Sequence, residues 1–292
     1  MLRTQFATEL SPAELPIIVR RMTGIVGWQT WRSRIEALKS ELSSNPLWQE
    51  FLLDRYGLEL AFGDVHRHLR ISGRCPWPPK TAEQYRLYSF LAVAVQVHAG
   101  LGVHGQARFA GALQSSLEKE FGLGPLAFEM KTVAHLISRG FEVEFHDLES
   151  GGGYDFMAIS GAMEIEVECK HLSADIGRQI HRRRLYNLGG VLLPVMARAV
   201  DGDNDVQLVQ VTLPDRLTSN KEQQQDLADR IGAVLSGRAA EIDDSVCAIS
   251  AHSFSLQTSP FSGSHGHHLT MKDVEDYLRR AFNLDNVNVL AN

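Results

Sequence analysis

The sequence of 292 residues holds 29 Lys and Arg against 35 Asp and Glu, a net charge of −6, and 44% hydrophobic residues. That apolar content is ordinary for a globular chain with a sizeable core, and no stretch reaches the roughly 18 uncharged apolar residues of a membrane-spanning helix. The acidic balance excludes a protein that coats nucleic acid by bulk electrostatics, and leaves room for an enzyme that touches a few phosphates.

Residues 1–124 read as helical. Segments near 12–22, 28–43, 47–61, 82–101 and 105–121 carry apolar residues at three- and four-residue spacing, as in Trp28, Trp31, Ile35, Leu38 and Leu42. Trp28, Trp31, Trp48 and Trp77 are expected in the core or between packed helices. The stretch from Ser72 to Pro79 is a proline-rich break. Residues 1–124 are mildly basic, with 14 Lys and Arg against 11 Asp and Glu, whereas residues 125–292 hold 15 against 24. The acidic N-terminal stretch is unlike a signal peptide. Cys75, Cys169 and Cys247 are too scattered for a disulfide framework, which suggests a reducing, cytoplasmic setting.

Beyond residue 122 the pattern changes. A helix is expected over Pro125–Ser138, with proline in its first turn and Gly140 past its end. Phe141–Leu148, Tyr154–Ser160 and Met163–Leu172 read as three strands, the last two joined through Ser160-Gly161. A basic helix from about Ala174, a strand at Val206–Leu213, a helix at Lys221–Leu235 and a strand at Val246–Leu256 follow. A helix at Thr270–Phe282 and a short strand at Val287–Leu290 close the chain. The expectation is an all-α region over 1–122 and an α/β domain over 123–292, its mixed sheet flanked by helices.

The strand Met163-Glu-Ile-Glu-Val-Glu-Cys-Lys170 alternates. Ile165, Val167 and Cys169 fall on one face, and Glu164, Glu166, Glu168 and Lys170 on the other. Carboxylates aligned on one strand face repel, so this is either a wetted edge or a site that wants negative charge. Asp155 begins the preceding strand, and the hairpin folds it back toward Glu168 and Lys170. Two such carboxylates suit Mg²⁺ or Mn²⁺, with the Cys169 backbone carbonyl as a further oxygen ligand. Lys170 would orient an attacking water and stabilise developing negative charge. Glu166 is an alternative or outer ligand, although only Glu168 has a lysine two residues on. On the preceding helix, Glu129 falls within the apolar arc of Leu126, Met130, Val133, Ala134, Leu136 and Ile137, where an acid needs a cation or donors.

Helix with Glu129, strand, Tyr154-Asp155-Phe156, turn, Glu168-Cys-Lys170 and a further helix together resemble the PD-(D/E)xK, or restriction-endonuclease-like, nuclease superfamily over roughly residues 125–215. Tyr154 stands where the family name has proline. The resemblance implies a restriction-endonuclease-like core and a Mg²⁺-dependent phosphodiesterase acting on nucleic acid, DNA before RNA. In it Asp155, Glu168 and Glu129 would serve as metal ligands and Lys170 would assist the water. Arg178, Gln179, Arg182 and Arg183 on the following helix are candidates for the phosphate backbone. The helical region would select substrate, or mediate self-association or a protein partner. The same fold kept as a non-catalytic module that binds nucleic acid or a protein partner is the alternative.

Other clusters carry less. His265, His267 and His268 sit in a glycine-rich loop, and His66 and His68 lack a Cys or carboxylate partner at ligand spacing. Asp201-Gly-Asp-Asn-Asp205 lacks the twelfth-position Glu of a calcium loop.

Overall fold

The computed structural model describes residues 11–45, 49–171, 180–199 and 205–255. The expected elements at Thr270–Phe282 and Val287–Leu290, with the histidine cluster and most of the aspartate-rich loop, lie outside the described residues. Contacts divide the chain into two units, residues 1–43 with 50–172, and residues 44–49 with 173–292.

In the first unit, α1 (Leu15–Val26) begins with proline in its first turn and buries Leu15, Val19 and Met22 at helical spacing. Helix α2 (Trp28–Ser44) buries Trp31, Ile35 and Leu38. The next helix, α3 (Gln49–Ser72), runs well past the expected end at residue 61 and kinks at Tyr56 (φ −119°). The Tyr56 hydroxyl there donates to the Glu120 carbonyl at 2.6 Å. Thr81 caps α4 (Ala82–Gly100), its side chain accepting the Gln84 N–H at 3.2 Å. Nearly every residue of α4 from Leu87 to Val97 is buried, as befits a helix apolar on most sides and packed against α1. It also packs against α5 (Val103–Glu118) and α6 (Gly124–Ser138).

Helix α6 buries Leu126, Met130 and Val133, and these side chains join the same core as α1 to α5. Contacts therefore place the helical region and the Glu129–Lys170 segment together. The main break between the units falls after Leu172.

Next come β1 (Glu142–Glu144), α7 (His146–Ser150), β2 (Phe156–Ser160) and β3 (Met163–Val167). The expected strand over 141–148 is thus cut short. Its two-residue alternation holds through the buried Val143 and Phe145. The next apolar residue, Leu148, comes three positions later, which suits the helical turn that forms. The order β1-β2-β3 is antiparallel throughout, with Phe156 opposite Val167 and Ser160 opposite Met163. Gly161, at φ +60°, makes the hairpin turn in a backbone region that favours glycine.

Strand β3 departs from the expected one-sided burial. Ile165 is 40% exposed and Met163 54%, while Val167 and Cys169 are half-buried. Among the described residues β3 is the edge of its sheet. Glu164 and Glu166 are therefore solvated along a wetted edge, and no site is needed to explain them.

The second unit contains α8 (Arg182–Ala199), β4 (Asp205–Thr212), α9 (Lys221–Leu235), β5 (Glu241–Asp243) and β6 (Ala248–Ser255). Its sheet, ordered β4-β6-β5, is also antiparallel. The expectation of one mixed sheet is corrected to two small antiparallel sheets among the described residues. The cause is pairing partner: β4 bonds along its whole length to β6, a strand that follows it in sequence. Helices α8 and α9 pack together, and Asn220 caps α9 by accepting the Glu222 and Gln223 N–H groups. No helix among the described residues is long and apolar enough to cross a membrane.

Candidate active site

Asp155 stands one residue before β2 and reaches the end of β3 by two bonds. Its backbone N–H donates to the Val167 carbonyl at 3.1 Å. Its carboxylate Oδ2 accepts the Cys169 N–H at 2.5 Å. The hairpin thus brings Asp155 onto the Glu168-Cys169-Lys170 segment, as expected from the sequence. Cys169 also donates its amide N–H to Asp155.

Glu168 and Lys170 leave the strand on the exposed side. The Lys170 ammonium donates to Glu168 Oε1, an ion pair with both side chains largely solvated. Glu168 holds the Lys170 ammonium above its ordinary range, with Asp155 adding to the effect.

From α6, Glu129 enters the same place. It lines a cavity of about 140 Å³ together with Asp147, Asp155, Leu126, Phe145 and Phe156. The Glu129 carboxyl is pushed up to about 7, first by burial and then by the negative charges of Asp155, Asp147 and Glu168. Asp155 is likewise raised by burial, and Glu168 and Asp147 add to this against the Cys169 hydrogen bond and the Lys170 charge. Burial raises the Cys169 thiol too. The three carboxylates expected at the site, and the lysine, are therefore within each other's electrostatic range.

Asp147 is the member that sequence reasoning missed. It lies on α7, in a segment read as strand. The helix is fastened from two sides: Arg108 of α5 donates to the Asp147 carbonyl at 3.0 Å, and Glu149 Oε1 accepts the Gly102 N–H at 2.7 Å. A Cβ on Gly105 would stand 3.0 Å from Glu149 Oε1, so glycine there lets α5 approach α7. The only local signal was the loss of alternation after Phe145.

The donor set fits a hard divalent cation. Lys170 answers Glu168 and, more weakly, Asp155, whereas the half-buried Glu129 feels the charges of Asp155, Asp147 and Glu168 and has no ion pair or hydrogen bond among the described residues. A cation placed there would remove the repulsion that raises Glu129. No three His, Cys, Asp or Glu donors among the described residues converge as a ready-made cage. Mg²⁺ does not require one, since it keeps several waters and is bound through one or two carboxylates.

The remaining candidates separate. Arg178 and Gln179 lie outside the described residues. Arg182 and Arg183 begin α8 in the second unit, where the Arg183 guanidinium sits 4.8 Å over the Tyr186 ring. Their neighbour Arg184 donates to the Leu217 carbonyl at 2.8 Å, and Tyr186 is buried. Two members of this basic turn thus hold their own unit together. His66, set aside in the sequence, stacks on Trp28 at 3.7 Å. Comparison with known proteins finds no match: no family model, no curated protein and no solved structure aligns with this chain.

Proposed function

We propose that the first unit is a metal-dependent nuclease that hydrolyses phosphodiester bonds in nucleic acid, DNA before RNA, through a restriction-endonuclease-like centre. The observation that carries this reading is that Glu129 from α6 and Asp155 from the start of β2 line one small cavity, while Asp155 is bonded to the Glu168-Cys169-Lys170 segment at the end of β3 and feels the charges of Glu168 and Lys170. Glu129, Asp155 and Glu168 would hold Mg²⁺ or Mn²⁺, which supplies charge neutralisation at the phosphate and a lowered pKa of water. The Cys169 N–H keeps one Asp155 oxygen fixed and leaves the other free to bind. Lys170, which pairs with Glu168, would hold the attacking water and stabilise the developing negative charge on phosphate. Asp147 adds a fourth acid that deepens the negative potential of the pocket.

The test is cleavage of circular DNA, linear DNA and single-stranded RNA with Mg²⁺, Mn²⁺ or EDTA. Wild type would be compared with Asp155→Asn and Lys170→Ala. Metal-dependent cleavage that both substitutions reduce by 100-fold or more is the expected result, about the effect of removing a general acid–base or a charge-stabilising group. A folded protein that cuts none of these and does not bind Mn²⁺ would overturn the proposal and favour a non-catalytic module.

A further inference from the structure

Between the end of α3 and the start of α4 lies an open groove of about 380 Å³, lined by Asp64, Arg67, His68, Ile71, Pro76 and Lys80, with Gln84. The stretch from Val65 to Ala82 contains Arg67, Arg70, Arg74 and Lys80 and no Asp or Glu. This is a local basic run in a chain of net charge −6. Asp64, at the floor, is answered by Arg67 at 3.0 Å and Lys39 at 3.7 Å. Arg70, Arg74 and Lys80 are exposed and have no carboxylate partner among the described residues. Of these three cations Lys80 lines the groove, while Arg70 and Arg74 flank its lining residues in sequence. In the same stretch of chain Trp77, next to the lining Pro76, is 51% exposed and Tyr85, next to the lining Gln84, is 66% exposed, against the expectation of a tryptophan in the core or between packed helices. Prolines on both sides of Trp77 restrict its backbone, so a ring held there has little freedom to lose on stacking.

We infer that this groove and the exposed stretch that flanks it, residues 70–85, hold a single-stranded segment of nucleic acid, with Lys80 and the flanking Arg70 and Arg74 on its phosphates and Trp77 and Tyr85 against its bases. The inference rests on the nuclease reading for the reason such a strand would be present. Unpaired cations beside exposed aromatic rings are the combination that binds single strands without sequence preference. An acidic peptide would use the cations and leave the rings idle, and a flat anionic bilayer would not enter a concave groove.

Helix α4 links the groove to the candidate active site. Gln84, in its first turn, borders the groove and accepts the Lys80 N–H at 2.8 Å. Just past its other end, Gly102 is bonded to Glu149 of α7, the helix that carries Asp147. Its 19 residues span about 28 Å. At about 3.4 Å per nucleotide along one stacked strand, that is about 8 nucleotides. Oligonucleotides much shorter than this cannot occupy groove and site together.

The experiment is fluorescence anisotropy of the full chain in EDTA with labelled 20-nucleotide oligo(dT), the matching 20-base-pair duplex, polyglutamate and phosphatidylserine vesicles. Three neutralised phosphates give a salt slope near −2 for single strands, about a 20-fold loss of affinity between 50 and 200 mM KCl. R70Q/R74Q/K80Q is expected to abolish that slope and weaken oligo(dT) binding by 10-fold or more. W77A should weaken it about 5-fold or more, with the melting temperature of both variants retained. In Mg²⁺ the triple variant should impair cleavage of long strands and leave that of 5-mers unchanged. Binding unaffected by the triple variant, or polyglutamate or vesicles bound as tightly as oligo(dT), would overturn the groove assignment. Groove-dependent binding without any metal-dependent cleavage would keep the groove and overturn the catalytic reading, so the two failures are distinguishable.

Discussion

Glu129→Gln should stabilise the metal-free protein at alkaline pH, and the size of the effect follows from the site. The Glu129 carboxyl titrates near 7 in the fold against an ordinary value of 4.5, because burial and three neighbouring acids oppose its charge. At 1.4 kcal/mol per tenfold change in proton affinity, full burial would make the difference about 3 kcal/mol. The group is only half-buried, so solvent screening reduces this to about 2 kcal/mol. The folded state binds the proton more tightly than the unfolded one. This contribution to stability is therefore complete below pH 4.5, and it is lost as pH rises through 7. Glutamine has no charge to bury and removes the dependence. In a unit of this size 2 kcal/mol corresponds to about 4–8 °C. Thermal unfolding in EDTA should show the variant melting that much higher than wild type at pH 8.5 and within 1–2 °C of it at pH 5. Adding 5 mM Mn²⁺ at pH 8.5 should raise the wild type and close the gap. Equal melting temperatures at pH 8.5 in EDTA would mean that the acids around Glu129 are already neutralised, and would refute the case for a cation site.

Four further substitutions, at three positions, probe the same unit. Lys170→Ala should leave the midpoint of a denaturant titration unchanged, because its pair with Glu168 is solvated, so any loss of activity reports on chemistry. Gly122→Ala should cost about 2 kcal/mol or more on the same titration. Gly122 adopts φ +61°, and a Cβ there would lie 2.4 Å from Glu59 Oε1 and 2.9 Å from the Tyr56 ring. Glu59 is fully buried, its carboxyl pushed up to about 7 chiefly by that burial, and it accepts the Leu123 N–H at 3.1 Å. Glu59→Gln keeps this acceptor, so it should raise the melting temperature at pH 8.5 and leave it unchanged at pH 5; Glu59→Leu should lower it at both.

The part of the site that was legible in the sequence depends on short-range geometry. A two-residue turn with glycine fixes the pairing of its flanking strands, so the turn that the sequence signals at Ser160-Gly161, formed by Gly161 and Ala162 between Ser160 and Met163, placed Asp155 against the segment from Glu168 to Lys170. The angle of 100° per residue placed Glu129 on the packed side of α6. These inferences needed no knowledge of the rest of the fold. The solvation of Ile165 did need it. Alternation says which residues share a face, but whether that face meets a core depends on which strands pair beyond the hairpin. For the same reason the pairing of β4 with β6, across about 35 residues of intervening chain, was not readable and the expected mixed sheet was wrong.

Asp147 and Trp77 fell outside local rules in opposite directions. Asp147 is in the cavity because α7 forms where a strand was expected, and α7 is held by Arg108, Gly102 and Gly105, all about 40 residues upstream. No pattern within the segment encodes those contacts. Trp77 was assigned to the core because tryptophan usually buries much of its surface. The prolines around it keep the segment out of a helix, so no periodicity fixes which way the ring points. Its indole packs on one side against Tyr88, 6.3 Å between centroids, and half of it remains exposed. A large ring left at the surface beside unpaired cations is costly unless something covers it. The same proline run that hid this position from a periodicity argument is what leaves the ring available to a base.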